Sequence, residues 1–259
     1  MMEPEKVPEK LKNPINKKIL LLILGLAIVF QIFVYAAPET DEKEYVVAVV
    51  SILNPLVASI FAFHVSKMYG SSIVFGKSYT VLGIALFMMF LGESTWYTYV
   101  FLLDIDPYPS IADVFFFAFY PLAATHIILN VKFFNTKIGL TNKVWIGIIP
   151  IAIVILYLLL SVHEDVEIDT IFYTGLLFVI GSSSLLSLGL LGAIVFRGGV
   201  LGIAWLLLLI GILLTTIGDV WYYYIEIPGT YYSGHPVELL WYTSYWSIIY
   251  ALYKHKRII

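Results

Sequence analysis

The chain contains no cysteine. That absence excludes a disulfide scaffold, a thiolate metal site and a cysteine nucleophile. Charge is also scarce. Only 13% of the 259 residues are Asp, Glu, Lys or Arg, against roughly a quarter in a water-soluble domain. Too little polar surface remains to cover a soluble fold of this size. The chain carries no Walker A sequence, GxSxG elbow, dinucleotide fingerprint or HExxH pair. Enzymes of the familiar soluble types are therefore disfavoured, no cofactor is named by a motif, and no metal site or nucleic-acid partner is expected.

Apolar residues are abundant. They make up 60% of the chain, and the mean hydropathy is +0.90. Runs of about 20 apolar residues match the thickness of a lipid bilayer. Eight such spans are expected, at 18–37, 45–68, 78–103, 112–134, 143–163, 169–196, 199–226 and 237–254. This predicts an all-α polytopic membrane protein with short connections and no inserted soluble domain. The expected division is a tail at 1–17, spans one to four at 18–134, spans five to eight at 135–254 and a tail at 255–259. The first tail, "MMEPEKVPEKLKNPINKK", is charged and proline-bearing, and is expected to be flexible or to lie on the membrane surface. The first span has a basic lead and ends in "VYAAPET", but its apolar run exceeds the 7–15 residues or so of a cleaved signal. It is expected to be a retained helix.

Lys and Arg set the orientation. With both termini cytoplasmic in a cell membrane, 14 of the 15 basic residues fall on the inner side, and only Lys43 lies outside. The outer loops are acidic, as in "PETDEKEY", "LDIDPYPSIAD" and "HEDVEIDT". That acidity could attract cations or simply aid solubility.

An offset of 125 residues pairs the two halves. It matches Trp96 with Trp221, Tyr97 with Tyr222, Tyr99 with Tyr224, Asp113 with Glu238 and Tyr120 with Tyr245. The spacing from Trp to the downstream acid is 17 in both halves. Four spans per unit give both units one orientation, so the expectation is two parallel four-helix repeats about a pseudo-twofold axis along the membrane normal. "PSIAD" reads as a helix start, with Ser110 as N-cap and Asp113 at N3. Glu238 is its counterpart, and capping is the plain role for both acids.

Two acids fall inside spans, Glu93 in "GESTWYTY" and Asp219 in "GDVWYYY". Burial in hydrocarbon is expensive, which makes each a candidate functional residue. Glu93 lies roughly 16 Å and Asp219 roughly 10 Å below the outer boundary, at about 1.5 Å of rise per residue. The pair could bind a ligand or a proton, or it could be consumed in helix packing. Trp96, Trp221, Tyr97 and Tyr222 accompany the acids, either as an interfacial belt or as the wall of an aromatic cavity. His126 could approach Glu93 in depth, and His64 lies nearer the inner side. Haem or metal ligation by them lacks any paired-ligand spacing. Pro55 and Pro121 can kink their helices, and "IGSSSLLSLGLLG" reads as a close-packing face.

"GESTWYTY" together with "PYPSIADVFFFAFYPLA" resembles multi-pass membrane input regions of prokaryotic signalling proteins, of the kind that precede diguanylate cyclase output domains. The resemblance rests on a G-[DE]-x-x-W helix followed by a P-S-x-A-D-x-x-[FY] helix start. It covers spans three and four well and spans seven and eight more loosely, where "HPVE" replaces the second signature. It implies a sensory or ligand-binding membrane module. The chain ends about five residues after the last expected span, so signalling would run through a separate cytoplasmic or membrane partner. A proton- or cation-coupled transporter and a structural subunit of a membrane complex are the alternatives.

Overall fold

A computed structural model of the protein describes residues 15–37, 41–70, 72, 74–105, 107, 109–134, 139–162 and 168–256. The first fourteen residues, Lys137, His163 and the last three residues lie outside the described residues. The described chain is all-α. Its helices are α1 Lys17–Ala36, α2 Asp41–Tyr69, α3 Phe75–Thr98, α4 Ile111–Phe134, α5 Leu140–Ser161, α6 Thr170–Phe196, α7 Gly202–Glu226 and α8 Glu238–Lys256. Each falls within a turn or so of an expected span. Local capping fixes several starts. The Asn16 side chain accepts from the Lys18 N–H at 3.0 Å, and Asp169 accepts from the Phe172 N–H at 3.0 Å. One π-helical turn, Tyr99–Leu103, continues α3 and ends at Asp104, whose φ of 51° is left-handed.

Seven of the helices, α1 to α7, are long and apolar enough to cross a membrane, and together they suit a lipid bilayer. α8 is the least apolar, for a positional reason. It packs against α1, α2 and α7, and buries Thr243, Ser244, Ser247, Lys254 and His255 along with its apolar residues. A helix surrounded by protein need not present hydrocarbon to lipid. α1 and α5 are the reverse case. They turn exposed apolar side chains outward, among them Leu21, Val29 and Phe33 on α1 and Ile151 and Leu159 on α5.

Helix contacts close a ring of six in the order α2, α3, α4, α6, α7, α8 and back to α2. α5 lies outside it against α6 and α7, and α1 outside it against α8. The seam between α4 and α6 is aromatic, with the Phe117 and Phe178 ring centroids 4.4 Å apart. The seam between α2 and α8 is polar: Trp246 Nε1 donates to Asn54 Oδ1 at 2.9 Å. Single hydrogen bonds tie other neighbours, such as Ser59 Oγ to the Gly83 carbonyl (2.8 Å) and Thr216 Oγ1 to the Ser182 carbonyl (3.1 Å). Each such bond is worth about 0.6 kcal/mol in a membrane, so close packing must supply most of the cohesion.

The half of the ring remote from the α3–α4 and α7–α8 turns is filled. Leu82, Leu86, Ile127, Leu208, Ile212 and Ile248 are buried in one apolar core. Beyond it sits a polar knot. Asn130 Nδ2 donates to Ser78 Oγ at 2.9 Å, His126 Nδ1 lies 3.0 Å from the Ser78 carbonyl oxygen, and His255 Nδ1 lies 2.9 Å from the Tyr69 hydroxyl. The Tyr79 ring meets His126 and His255 edge-on, each at 4.6 Å.

Candidate functional site

Helical spacing builds the site. Residues at i−4, i, i+3 and i+4 share one face of a helix. Around Glu93 these are Met89, Glu93, Trp96 and Tyr97. Around Asp219 they are Thr215, Asp219, Tyr222 and Tyr223. Both quartets line one cavity of about 150 Å³. α4 adds Asp113, Phe116 and Tyr120, and α8 adds Glu238, Trp241 and Tyr245 at the same internal spacing. Phe178 of α6, Ser51 of α2 and Tyr231 of the α7–α8 turn contribute to the wall. The two intramembrane acids therefore share a cavity.

Glycine makes the approach of neighbouring helices close enough. A Cβ at Gly92 would lie 2.4 Å from the Phe116 ring, and one at Gly218 would lie 2.7 Å from Trp241 Nε1. Each acid is thus preceded by a residue whose side-chain space is taken by an aromatic ring of the next helix.

The four carboxylates in the wall are not alike. Asp219 accepts from the Tyr120 hydroxyl and from Trp241 Nε1, both at 3.2 Å. Glu238 accepts from the Tyr231 hydroxyl (2.9 Å), the Gly234 N–H (2.7 Å) and the Tyr242 hydroxyl (2.5 Å). Asp113 accepts from the Ser110 N–H at 2.7 Å, while Ser110 Oγ accepts from the Ala112 N–H at 3.1 Å. This is a reciprocal cap at the start of α4. Glu93 faces the same space with no hydrogen-bond donor among the described residues. No lysine, arginine or histidine stands among the described lining residues. Lys43 lies near the Gly234 turn, its ammonium 5.9 Å from the centroid of the Tyr232 ring.

The start of α8 repeats the cap with a different residue. His235 Nδ1 accepts from the Val237 N–H at 3.1 Å, as Ser110 does two residues before Ala112. Burial holds the pKa of His235 below the ordinary histidine value, which favours the neutral ring that can accept. Tyr231, in the same turn, has its hydroxyl pKa pushed well up by burial, then by the nearby Glu238 charge.

Two residues expected with the acids stand apart from them. Trp221 is 39% exposed, and its ring meets His235 edge-on at 5.6 Å. It follows Asp219 by two positions, which turns it off the cavity face. His126 is fully buried in the polar knot with Ser78 and Asn130, on the far side of the apolar core, and does not line the cavity. His255, which falls in the expected tail at 255–259, is instead buried at the end of α8. Trp241, Phe116 and Phe178 also line the cavity, and Trp241 and Phe178 belong to no motif in the sequence. A helical count of three and seven from Asp113 and Glu238 would have found Phe116, Tyr120, Trp241 and Tyr245. Phe178 carries no comparable signal.

Among the described residues no group of three or more His, Asp or Glu side chains converges to hold a metal ion. No protein-family model matches the chain, and neither a curated protein nor a solved structure matches it.

Proposed function

We propose that the protein is a sensory or ligand-binding membrane module whose site is the aromatic cavity between α3, α4, α7 and α8. The observation that carries this reading is Glu93, which faces a polar–aromatic cavity without a hydrogen-bonding partner among the described residues. If the acids served packing alone, each would be expected to have donors, as Asp219 and Glu238 do. Coupled transport would need a polar route onward from the cavity. The described residues beyond it are the buried apolar set from Leu82 to Ile248, so this arrangement favours binding over passage.

The reading includes the duplicated architecture. Its support is the matched lining faces, the matched caps and the ring order, in which α2–α3–α4 and α6–α7–α8 play equivalent parts. The lining faces of α3 and α7 correspond at an offset of 126 residues, whereas those of α4 and α8 correspond at 125. The first half thus holds one extra residue between the two faces. The π turn Tyr99–Leu103 is where such a residue is absorbed, since a π turn is an α-helix with one residue inserted. In this architecture α8 is the eighth crossing, both termini are cytoplasmic and the cavity lies in the outer half. The output would pass through the basic inner face.

The test is a binding screen in detergent micelles, read by tryptophan fluorescence and thermal shift, with small anionic, neutral and cationic molecules. Trp96 and Trp241 are built-in reporters. We expect at least one charge class to bind saturably to the native protein, and to be lost when Thr215→Phe or Ser51→Phe fills the cavity. Absence of any cavity-dependent binder would overturn the reading.

A further inference from the structure

Resting on that reading, we infer that the ligand class is a small organic cation, a protonated amine attached to a flat apolar body about the size of a benzene ring. Charge is the first argument. Four carboxylates face the cavity, and no cationic side chain lines it among the described residues. The Lys43 charge acts on Glu238 from beside the α7–α8 turn, and the carboxyl groups deeper in the cavity call for further positive charge, because unpaired charge in a low-dielectric site is costly. An anion would add to the repulsion.

The second argument is the wall. Eleven of the eighteen lining side chains are aromatic, and ring faces attract cations, most strongly where water is excluded. The third is the placement of the acids. A calcium ion takes about six to eight oxygens converging at roughly 2.5 Å, and no group of three or more metal-ligating side chains converges among the described residues. Carboxylates distributed around aromatic walls suit a charge carried at one end of a carbon skeleton. Size agrees, since the cavity is about 150 Å³, a volume that admits benzene in an engineered protein cavity of about that size. Glu93 is the anchor. Asp113, Asp219 and Glu238 already receive donors from the fold, whereas Glu93 has its oxygens available to ammonium N–H groups.

Three probes of similar shape decide the matter: benzylamine, benzyl alcohol and benzoate, titrated at neutral pH against the full chain in detergent micelles. We expect saturable quenching of tryptophan fluorescence and an upward thermal shift with benzylamine, and at least tenfold weaker binding of the other two. Glu93→Gln should weaken benzylamine at least tenfold while leaving the elution profile and the melting temperature of the unliganded protein intact. Glu93→Asp should restore part of the affinity. Benzyl alcohol or benzoate binding as well as benzylamine, with loss in Thr215→Phe, would overturn the cation assignment and leave the cavity as a ligand site. Benzylamine binding unchanged by Glu93→Gln would overturn the anchor. No response to benzylamine at millimolar concentration would also overturn the proposal.

Discussion

At the scale of single residues, the acids of the cavity divide by what the fold gives them. Replacing Glu93 with Gln removes no hydrogen bond within the described structure and relieves repulsion among like charges. Its melting temperature should stay level or rise, as measured by thermal unfolding in micelles. Asp219→Leu strands the Tyr120 hydroxyl and Trp241 Nε1, and should cost about 1–3 kcal/mol. Glu238→Leu strands three donors at once and should cost about 3 kcal/mol or more, at roughly 1.5–3 kcal/mol for a bond to a charged group. Denaturant titration of the three variants orders them, and a Glu93 variant as damaged as the Glu238 variant would contradict the division. His235 supplies a pH-dependent contrast. Its folded pKa is lowered, so the native cap is fully stabilising above the unfolded value of about 6.5 and is lost as pH falls through the folded value. A protonated Nδ1 cannot accept from the Val237 N–H. Protection factors, the exchange rates of the first-turn amides of α8 divided into their intrinsic rates at each pH, should therefore fall on acidification, and His235→Ser should abolish that dependence by installing the group that caps α4.

At the scale of elements, the π turn carries the sharpest expectation. Deleting Val100 turns Tyr99–Leu103 into an ordinary α-helical turn and makes α3 resemble α7. The lining face at Glu93, Trp96 and Tyr97 lies before the deletion and keeps its direction. We expect Δ100 to stay folded and to keep its cavity. Deleting Thr95 instead should rotate Trp96 and Tyr97 by about 100° relative to Glu93, given 3.6 residues per turn, and destroy ligand binding. Thermal shift with a cavity ligand distinguishes the two deletions. The elements themselves were plain in the sequence, since lipid-facing helices such as α1 and α5 must be apolar throughout. The faces were partly legible. The Trp96–Trp221 match at 125 residues is a true sequence match, but it joins a cavity residue to an exposed one. Only the spacing from each acid, three and four residues onward, picks Tyr222 and Tyr223 over Trp221. The role of His126 was not legible, because depth along a span does not say which neighbour a side chain meets. Its partners Ser78 and Asn130 lie on two different helices.

At the scale of the whole molecule, adjacency across the two seams could not be read from the chain. Nothing local to α2 announces α8 as its neighbour, and nothing local to α4 announces α6. Orientation, by contrast, is a sequence argument that the fold leaves open to a direct test. The lack of native cysteine makes single-cysteine labelling clean. A cysteine at Thr230, in the α7–α8 turn, should react with an impermeant maleimide on intact cells, and one at Gly198, between α6 and α7, should react only after lysis. The reverse pattern would invert the topology and move the cavity to the inner half. The ring has one further consequence, for how the protein is made. α8 is the last described helix to leave the ribosome, yet it supplies Glu238, Trp241 and Tyr245 to the cavity and the closing contact with α2. Until it is inserted, Asp219 lacks its Trp241 donor, and both Glu93 and Asp219 border an open gap. A chain stalled or truncated before residue 238 would thus display charged groups to lipid, the kind of defect that membrane proteases recognise. Completion of the binding site and escape from degradation would then be one event, and pulse-chase turnover of a chain stopped at residue 230 against the full chain would measure it.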